Sequence, residues 1–61
     1  MKKIIQLRKS DTPGHYKPVS TEDEFMVQHV MNDDYIEISE SSLLKAKTIA
    51  AAHGWAIEVI P

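Results

Sequence analysis

The strongest constraint in this sequence is a change of pattern at Gly54. Residues 39–53 place apolar side chains at the three- and four-residue spacing of an amphipathic helix, and alanine, the best helix former, is frequent among them. Residues 55–60 alternate with the two-residue period of a strand. Glycine commonly ends a helix by taking the left-handed conformation. The last third of the chain is therefore predicted to be a helix, stopped at Gly54, that leads directly into a buried closing strand.

The predicted helix has a defined start and two faces. Ser39 is suited to cap its first turn, and Glu40 follows it. The inward stripe is expected to contain Leu43, Ala46, Ile49, Ala50 and His53. A separate, outward stripe contains Leu44, Thr48 and Ala51. The strand after the helix has apolar side chains on both faces, which predicts an interior position in a sheet or a covered second face.

The length of 61 residues allows one domain, residues 1–61. A domain of this size buries only about 60% of the surface that its unfolded chain exposes, so we expect marginal stability. Because the chain has no cysteine, disulfides and thiolate zinc sites are excluded. A second copy would supply further burial, and a homodimer is therefore one hypothesis. Since no secretory signal or membrane-spanning run is recognisable, we expect a cytoplasmic protein with no membrane partner.

The first third of the chain predicts a strand followed by a loop. Residues 3–8 alternate in polarity as a strand does. Residues 9–19 are predicted to be a loop, because Thr12-Pro13-Gly14 favours a turn and Pro18 prevents a helix. A loop of this length is long for so small a domain, and such loops are usually functional or disordered.

Residues 20–31 allow two interpretations. Ser20 and Thr21 are both potential N-caps with acidic residues three positions later, and an apolar stripe follows at helical spacing. This stripe contains Met26, Val27, Val30 and Met31. The alternative is a strand over residues 25–31 that turns into the next strand. We favour the helix, because the strand would place apolar residues on both of its faces.

The predicted elements define an α+β fold class. Residues 34–39 add a strand, since alternation and β-branched side chains agree there. The favoured order is β-α-β-α-β, and β-β-β-α-β is the alternative. Both orders predict a small single-layer sheet of three to four strands with one or two helices packed on one face.

The net charge of −2 conceals an uneven distribution along the chain. Residues 1–19 carry a charge of +4, residues 20–40 carry −7 without any Lys or Arg, and residues 41–61 carry +1. Such an acidic segment suits a basic groove on another protein, where it speeds encounter and fixes register. The predicted partner-binding residues are Glu22, Asp23, Glu24, Asp33, Asp34 and Glu37, with Leu44 and Ala51 of the outward helix stripe as a second patch.

A basic stretch near the start of the chain supports a different hypothesis. It combines cations with one aromatic ring, as weak nucleic-acid-binding patches do. Its residues are Arg8, Lys9, His15, Tyr16 and Lys17. The negative net charge argues against this hypothesis, because nucleic-acid-binding domains are usually basic.

Catalytic and metal-binding patterns are not recognisable in the sequence. His15, His29 and His53 do not occur at a known ligand spacing. The serines of residues 39–42 have no identifiable base beside them and suit a helix cap better than a nucleophile. We therefore expect no enzymatic activity, no metal and no cofactor.

The layout, a small acidic α+β domain that closes with helix, glycine, strand and proline, resembles that of small phage-encoded inhibitors of host enzymes. This resemblance covers about half of the chain and implies no residue roles. The leading hypothesis is a non-enzymatic protein-binding module, encoded by a phage or mobile element, that inhibits or adapts a larger host nucleic-acid-handling protein. The alternative is a nucleic-acid-binding accessory protein that uses the basic residues 8–17.

Overall fold

The computed structural model describes residues 3–31 and 37–61. Their chain order is β-β-α-β-α-β. The elements are β1 (Lys3–Lys9), β2 (His15–Pro18), α1 (Thr21–Met31), β3 (Ile38–Ser39), α2 (Glu40–Ala52) and β4 (Trp55–Val59). The predicted α+β class is confirmed, and so is the helix within residues 20–31.

The four strands form one mixed sheet in the order β3-β2-β1-β4. β1 pairs antiparallel with β2 and parallel with β4, and β2 pairs antiparallel with β3. Side chains from β1 and from both helices meet in a single core, so the two helices pack on the same face of the sheet. The buried core residues are Ile5, Leu7, Val27, Val30, Ile38, Ala46 and Ala50.

The opposite face of the sheet is more exposed. We call it the outer sheet face, and the strand register assigns to it Ile4, Gln6, Arg8, His15, Lys17, Ala56 and Glu58. Gln6 Nε2 donates a hydrogen bond to Glu58 Oε1 at 3.3 Å, which ties β1 to β4 on this face. Ile4 is 51% exposed there.

The start of α1 follows the capping pattern that the sequence predicts. Ser20 Oγ accepts a hydrogen bond from the backbone N–H of Asp23 at 3.1 Å and donates one to Asp23 Oδ2 at 2.8 Å. Asp23 is thereby engaged in capping and is only 8% exposed. Val27 and Val30 are buried, and Met26 and Met31 are half-buried, as the helical stripe requires.

The predicted loop over residues 9–19 is wrong in part. β1 continues to Lys9, and residues 15–18 form β2, so most of this segment is a β-hairpin. The predicted turn at residues 12–14 lies at its tip, where the N–H of His15 donates to Thr12 O at 3.1 Å. The favoured prediction, β-α-β-α-β, therefore lacked β2, the second strand of this hairpin.

Pro18 ends β2 without losing a ladder hydrogen bond. The N–H of Val19 donates to Gln6 O at 3.0 Å, so the nitrogen of the preceding residue points away from β1. Among the described residues, β3 pairs on that side with His15 and Tyr16. A proline is therefore tolerated in a strand that lies inside the sheet.

The last third of the chain matches its prediction in element type and order, but the strand was expected to be buried and has no buried residue, and His53, expected on the inward stripe, is exposed. Ser39 caps α2, because its Oγ accepts from the N–H of Ser42 at 3.3 Å. Gly54 has a φ of 78° and ends the helix as expected. β4, however, is an edge strand of the sheet and not an interior one. On its helix-bearing face Trp55 and Ile57 pack against the core, and on the outer sheet face Ala56 is the register partner of Ile4.

The predicted strand over residues 34–39 is shorter than expected where it is described. β3 contains Ile38 and Ser39, and Glu37 before it is exposed. The remaining residues of that prediction, 34–36, lie outside the described residues. In the described ranges, no helix has the length and hydropathy needed to cross a membrane.

Candidate partner-binding surface

Four rings meet on the surface at one end of the sheet. They belong to Phe25, His29, His53 and Trp55, and we call them the aromatic patch. The ring of His29 lies 6.4 Å from that of Phe25, 5.8 Å from that of His53 and 5.5 Å from that of Trp55, measured between centroids. His53 and Trp55 stack at 5.2 Å with their planes 21° apart. The chain has four Phe, Tyr and Trp residues and three His, so this patch holds four of its seven rings.

Three elements position these rings. Phe25 and His29 are four residues apart on α1, a spacing that places side chains over one another on a helix surface. His53 is the C-cap of α2, and Trp55 opens β4. The left-handed residue between them, Gly54, reverses the chain so that the two rings stack.

The patch is accessible and has a polar border. Phe25 is 67% exposed, the two histidines are exposed, and Trp55 is half-buried against the core. Glu22, one turn before Phe25 on α1, forms an ion pair with Lys3. Because Lys3 pairs with Trp55 in the sheet register, this ion pair lies beside the patch.

The acidic residues predicted to bind a partner differ in their contacts and exposure. Glu22 forms an ion pair with Lys3 at the start of β1. Asp23 is nearly buried by its capping role. Glu24 is half-buried and Glu37 is exposed, while Asp33 and Asp34 lie outside the described residues.

The outward stripe of α2 lies where the sequence predicts it. Leu44 is 75% exposed, and Thr48 and Ala51 are also exposed. Thr48 Oγ1 donates a hydrogen bond to Leu44 O at 3.1 Å, which keeps its hydroxyl on the helix backbone. This stripe presents one large apolar side chain among small and charged ones.

The basic residues of the hairpin divide between the two faces of the sheet. Arg8 and Lys17 are register partners on the outer sheet face, and His15 lies on the same face two residues from Lys17. Lys9 and Tyr16 are register partners on the helix-bearing face, where Tyr16 packs against the core. The structure thus separates the ring of Tyr16 from Arg8, His15 and Lys17.

A shallow cleft of about 340 Å³ lies between the hairpin tip and the start of α2. Its lining comprises Lys9, Ser10, Thr12, Pro13, Gly14, His15, Tyr16 and Glu40. Across residues 3–31 and 37–61, no three His, Asp or Glu side chains lie together as a metal site would need.

The aromatic patch is the surface that the sequence analysis missed. The histidines were considered as metal ligands, and His53 also as part of the inward stripe of the last helix. Phe25 and Trp55 were considered only as parts of secondary-structure elements. The available signal was local: Phe25 and His29 at helical spacing, and His53 and Trp55 on either side of a helix-ending glycine. That the two pairs meet depends on how α1 packs beside the junction of α2 and β4.

Comparisons of the chain with protein-family models, with curated proteins and with solved structures gave no match.

Proposed function

We propose that this protein is a non-enzymatic protein-binding module whose contact surface is centred on the aromatic patch. The observation that carries the proposal is the exposure of Phe25 within a cluster of four touching rings. A single exposed apolar residue needs no explanation, but a group of rings with a charged border has the composition of an interface. Aromatic residues supply a large contact area with few rotatable bonds and are enriched among residues that dominate binding energy.

The charge pattern supports a partner with a basic surface beside an apolar pocket. Glu22 borders the patch, and its carboxylate already accepts one cation, that of Lys3. A Lys or Arg of a partner would replace Lys3 beside the Glu22 carboxylate or bind that carboxylate together with Lys3. Such contacts at the rim of an interface affect the association rate and specificity more than the affinity. A host nucleic-acid-handling protein, inhibited or adapted by a phage- or mobile-element-encoded module in the cytoplasm, remains the partner that we propose.

Nucleic-acid binding is the second candidate, and one observation favours it. Arg8 and Lys17 face each other in the register of the outer sheet face, with His15 beside them. Like charges placed opposite each other destabilise a sheet unless a ligand neutralises them. Binding of a single strand normally also needs rings on which bases stack. Because Tyr16 and the aromatic patch belong to the helix-bearing side, this second candidate is supported less well.

The proposal is tested with two matched substitutions of exposed apolar residues. Partners captured from a lysate of the source cell are identified by mass spectrometry, and the affinity of the purified pair is measured by calorimetry. F25S removes the most exposed apolar ring of the patch and is expected to weaken binding by about 30-fold, the effect of losing an interface residue worth about 2 kcal/mol. L44S removes an equally exposed side chain from α2, and we expect it to change the affinity less than threefold.

The two candidates give different patterns in the same measurement. Loss of binding in L44S with retention in F25S would contradict the proposed surface and assign the interface to the outward stripe of α2. Salt-dependent retardation of an oligonucleotide that R8E abolishes and F25S does not affect would support the second candidate instead.

A further inference from the structure

The edge strand β4 presents a row of backbone groups with no partner among the described residues. The N–H of Ile60 donates to Leu7 O at 2.9 Å, so the backbone of Ile60 faces β1. Successive residues of a strand direct their N–H and C=O groups to alternate sides. Ala56 and Glu58 therefore also face β1. The backbone groups of Trp55, Ile57 and Val59 face the open edge.

This edge lacks the usual protection against pairing. Natural sheets shield long edges with lysine, proline, bulges or very short strands. At the opposite edge, the described part of the chain forms a strand of two residues, β3. β4 has five residues, contains neither lysine nor proline, and carries one charge, Glu58, whose side chain is hydrogen-bonded to Gln6.

We propose that β4 pairs antiparallel with β4 of a second copy of this chain, with Ile57 at the two-fold axis. In this register Ile57 lies opposite Ile57 of the second copy, and Trp55 lies opposite Val59. Each of these positions has its N–H and C=O directed outward, so all six outward groups of each chain find partners. The result is one continuous sheet of eight strands.

The side chains are compatible with the same register. On the helix-bearing face, Ile57 lies opposite Ile57 of the second copy, and Trp55 lies opposite Val59 of the second copy. Pairing would therefore cover partly exposed apolar side chains of both copies. On the outer sheet face, Ala56 lies opposite Glu58 of the second copy, and like charges are not placed directly opposite each other.

A second copy suits this edge better than an unrelated strand because the edge is complementary to itself. Its outward positions are the first, third and fifth of the strand, a pattern that a two-fold axis maps onto itself. Within the described ranges, β3 offers two residues for pairing with β4 of another copy, whereas β4 offers five to its own copy, so a closed dimer is favoured over an open filament. The inference does not rest on the proposed partner surface.

The first test measures the mass of the protein in solution. A five-residue strand pair buries less than the roughly 1,200 Å² of a stable interface, so the dimer is expected to be weak. Sedimentation equilibrium from about 10 µM to about 1 mM chain should show the average mass rise from 6.9 kDa towards twice that value.

Two substitutions at Val59 separate edge pairing from other modes of association. V59P removes an outward N–H that makes no ladder hydrogen bond in the isolated chain. The residue before a proline favours extended backbone, which Glu58 already has in β4. V59T keeps the N–H and the β-branched shape. We expect V59P to raise the dissociation constant at least tenfold and V59T to change it less than threefold, while Trp55 fluorescence and circular dichroism report that both variants are folded.

A single cysteine tests the register directly, since the natural chain has none. Opposed residues of a hydrogen-bonded antiparallel pair have Cα atoms about 5.5 Å apart, which a disulfide spans. I57C should therefore form a disulfide-linked dimer with oxidised glutathione, whereas Q6C, exposed on β1, should not.

Three results would overturn the proposal. The first is a chain that stays monomeric throughout the concentration range. The second is a dimer that V59P leaves intact, which would assign the association to another surface. The third concerns hydrogen exchange at the edge of β4. The proposal would be wrong if the Ile57 and Val59 amides gained protection only when an extended peptide from a partner protein was added. F25S serves as a control, because Phe25 lies on α1 and not on β4, so its loss should leave self-association unchanged.

Discussion

The imidazole of His53 stacks on the indole of Trp55, with their centroids 5.2 Å apart, across a single glycine. His53 closes α2 and Trp55 opens β4. The turn that ends the helix therefore also assembles half of the aromatic patch. A residue that the sequence marks as a helix stop thus has a second consequence, because its left-handed backbone determines where the two rings meet.

Gly54 is expected to be important for stability through its backbone alone. It has a φ of 78°, and a Cβ atom built there would contact nothing within 4 Å. G54A should therefore lower the free energy of unfolding by about 1–2 kcal/mol, the cost of left-handed backbone for an L-residue. G54N should cost less, because asparagine tolerates this conformation. Urea unfolding followed by the fluorescence of the single tryptophan measures both, and equal stability of G54A and the wild type would contradict the prediction.

The cap of α2 gives a second prediction. Ser39 Oγ accepts from the N–H of Ser42, so S39A leaves an N-terminal donor of the helix without its side-chain partner. We expect a loss of about 1 kcal/mol in the free energy of unfolding. S41A is the matched control: Ser41 is exposed and contacts the Ser39 hydroxyl at 3.0 Å, and its loss should cost less than about 0.5 kcal/mol. Equal effects of the two substitutions would argue against Ser39 as the cap.

Adjacent alanines of α2 should respond in opposite ways to enlargement. Ala50 is fully buried against the sheet, whereas Ala51 is exposed on the outward stripe. A50L forces additional methylene groups into a close helix–sheet contact and should destabilise the fold by about 1–3 kcal/mol. A51L should change stability by less than about 0.5 kcal/mol. A tolerated A50L in thermal unfolding would mean that α2 lies further from the sheet than the structure indicates.

The facing cations of the outer sheet face give the fourth prediction. Arg8 and Lys17 are register partners, so R8E replaces a like-charge pair with an opposite-charge pair. We expect R8E to stabilise the isolated protein by about 0.2–1 kcal/mol at low salt. K47E makes the same change of net charge on α2 and should have no such effect. A destabilised R8E would show that the arginine makes contacts which its charge does not explain.

Local patterns were sufficient to predict most of the elements. The helix within residues 20–31 followed from Ser20 with Asp23 three positions later and from the stripe of Val27 and Val30. The hairpin was missed because Pro18 was used only to exclude a helix from residues 9–19. The tertiary structure shows that the nitrogen of Pro18 points away from β1, so the pairing of β2 with β1 does not need its N–H.

The candidate surface could not be predicted in the same way. The acidic segment is continuous in sequence, but the structure engages Glu22 in an ion pair with Lys3 and Asp23 in a helix cap. Conversely, the rings of Phe25 and Trp55 are thirty positions apart and become neighbours only when α1 packs against the end of the α2–β4 unit.

By itself, the sequence determined the features that depend on neighbouring residues: the caps at Ser20 and Ser39, the stop at Gly54 and the inward stripe of each helix. These follow from hydrogen bonds and backbone preferences over three or four residues, which local sequence encodes. The tertiary structure alone decided that β4 lies at an edge and that four rings form one patch. Both depend on contacts between residues far apart in the chain, and many distant pairings satisfy the same local pattern.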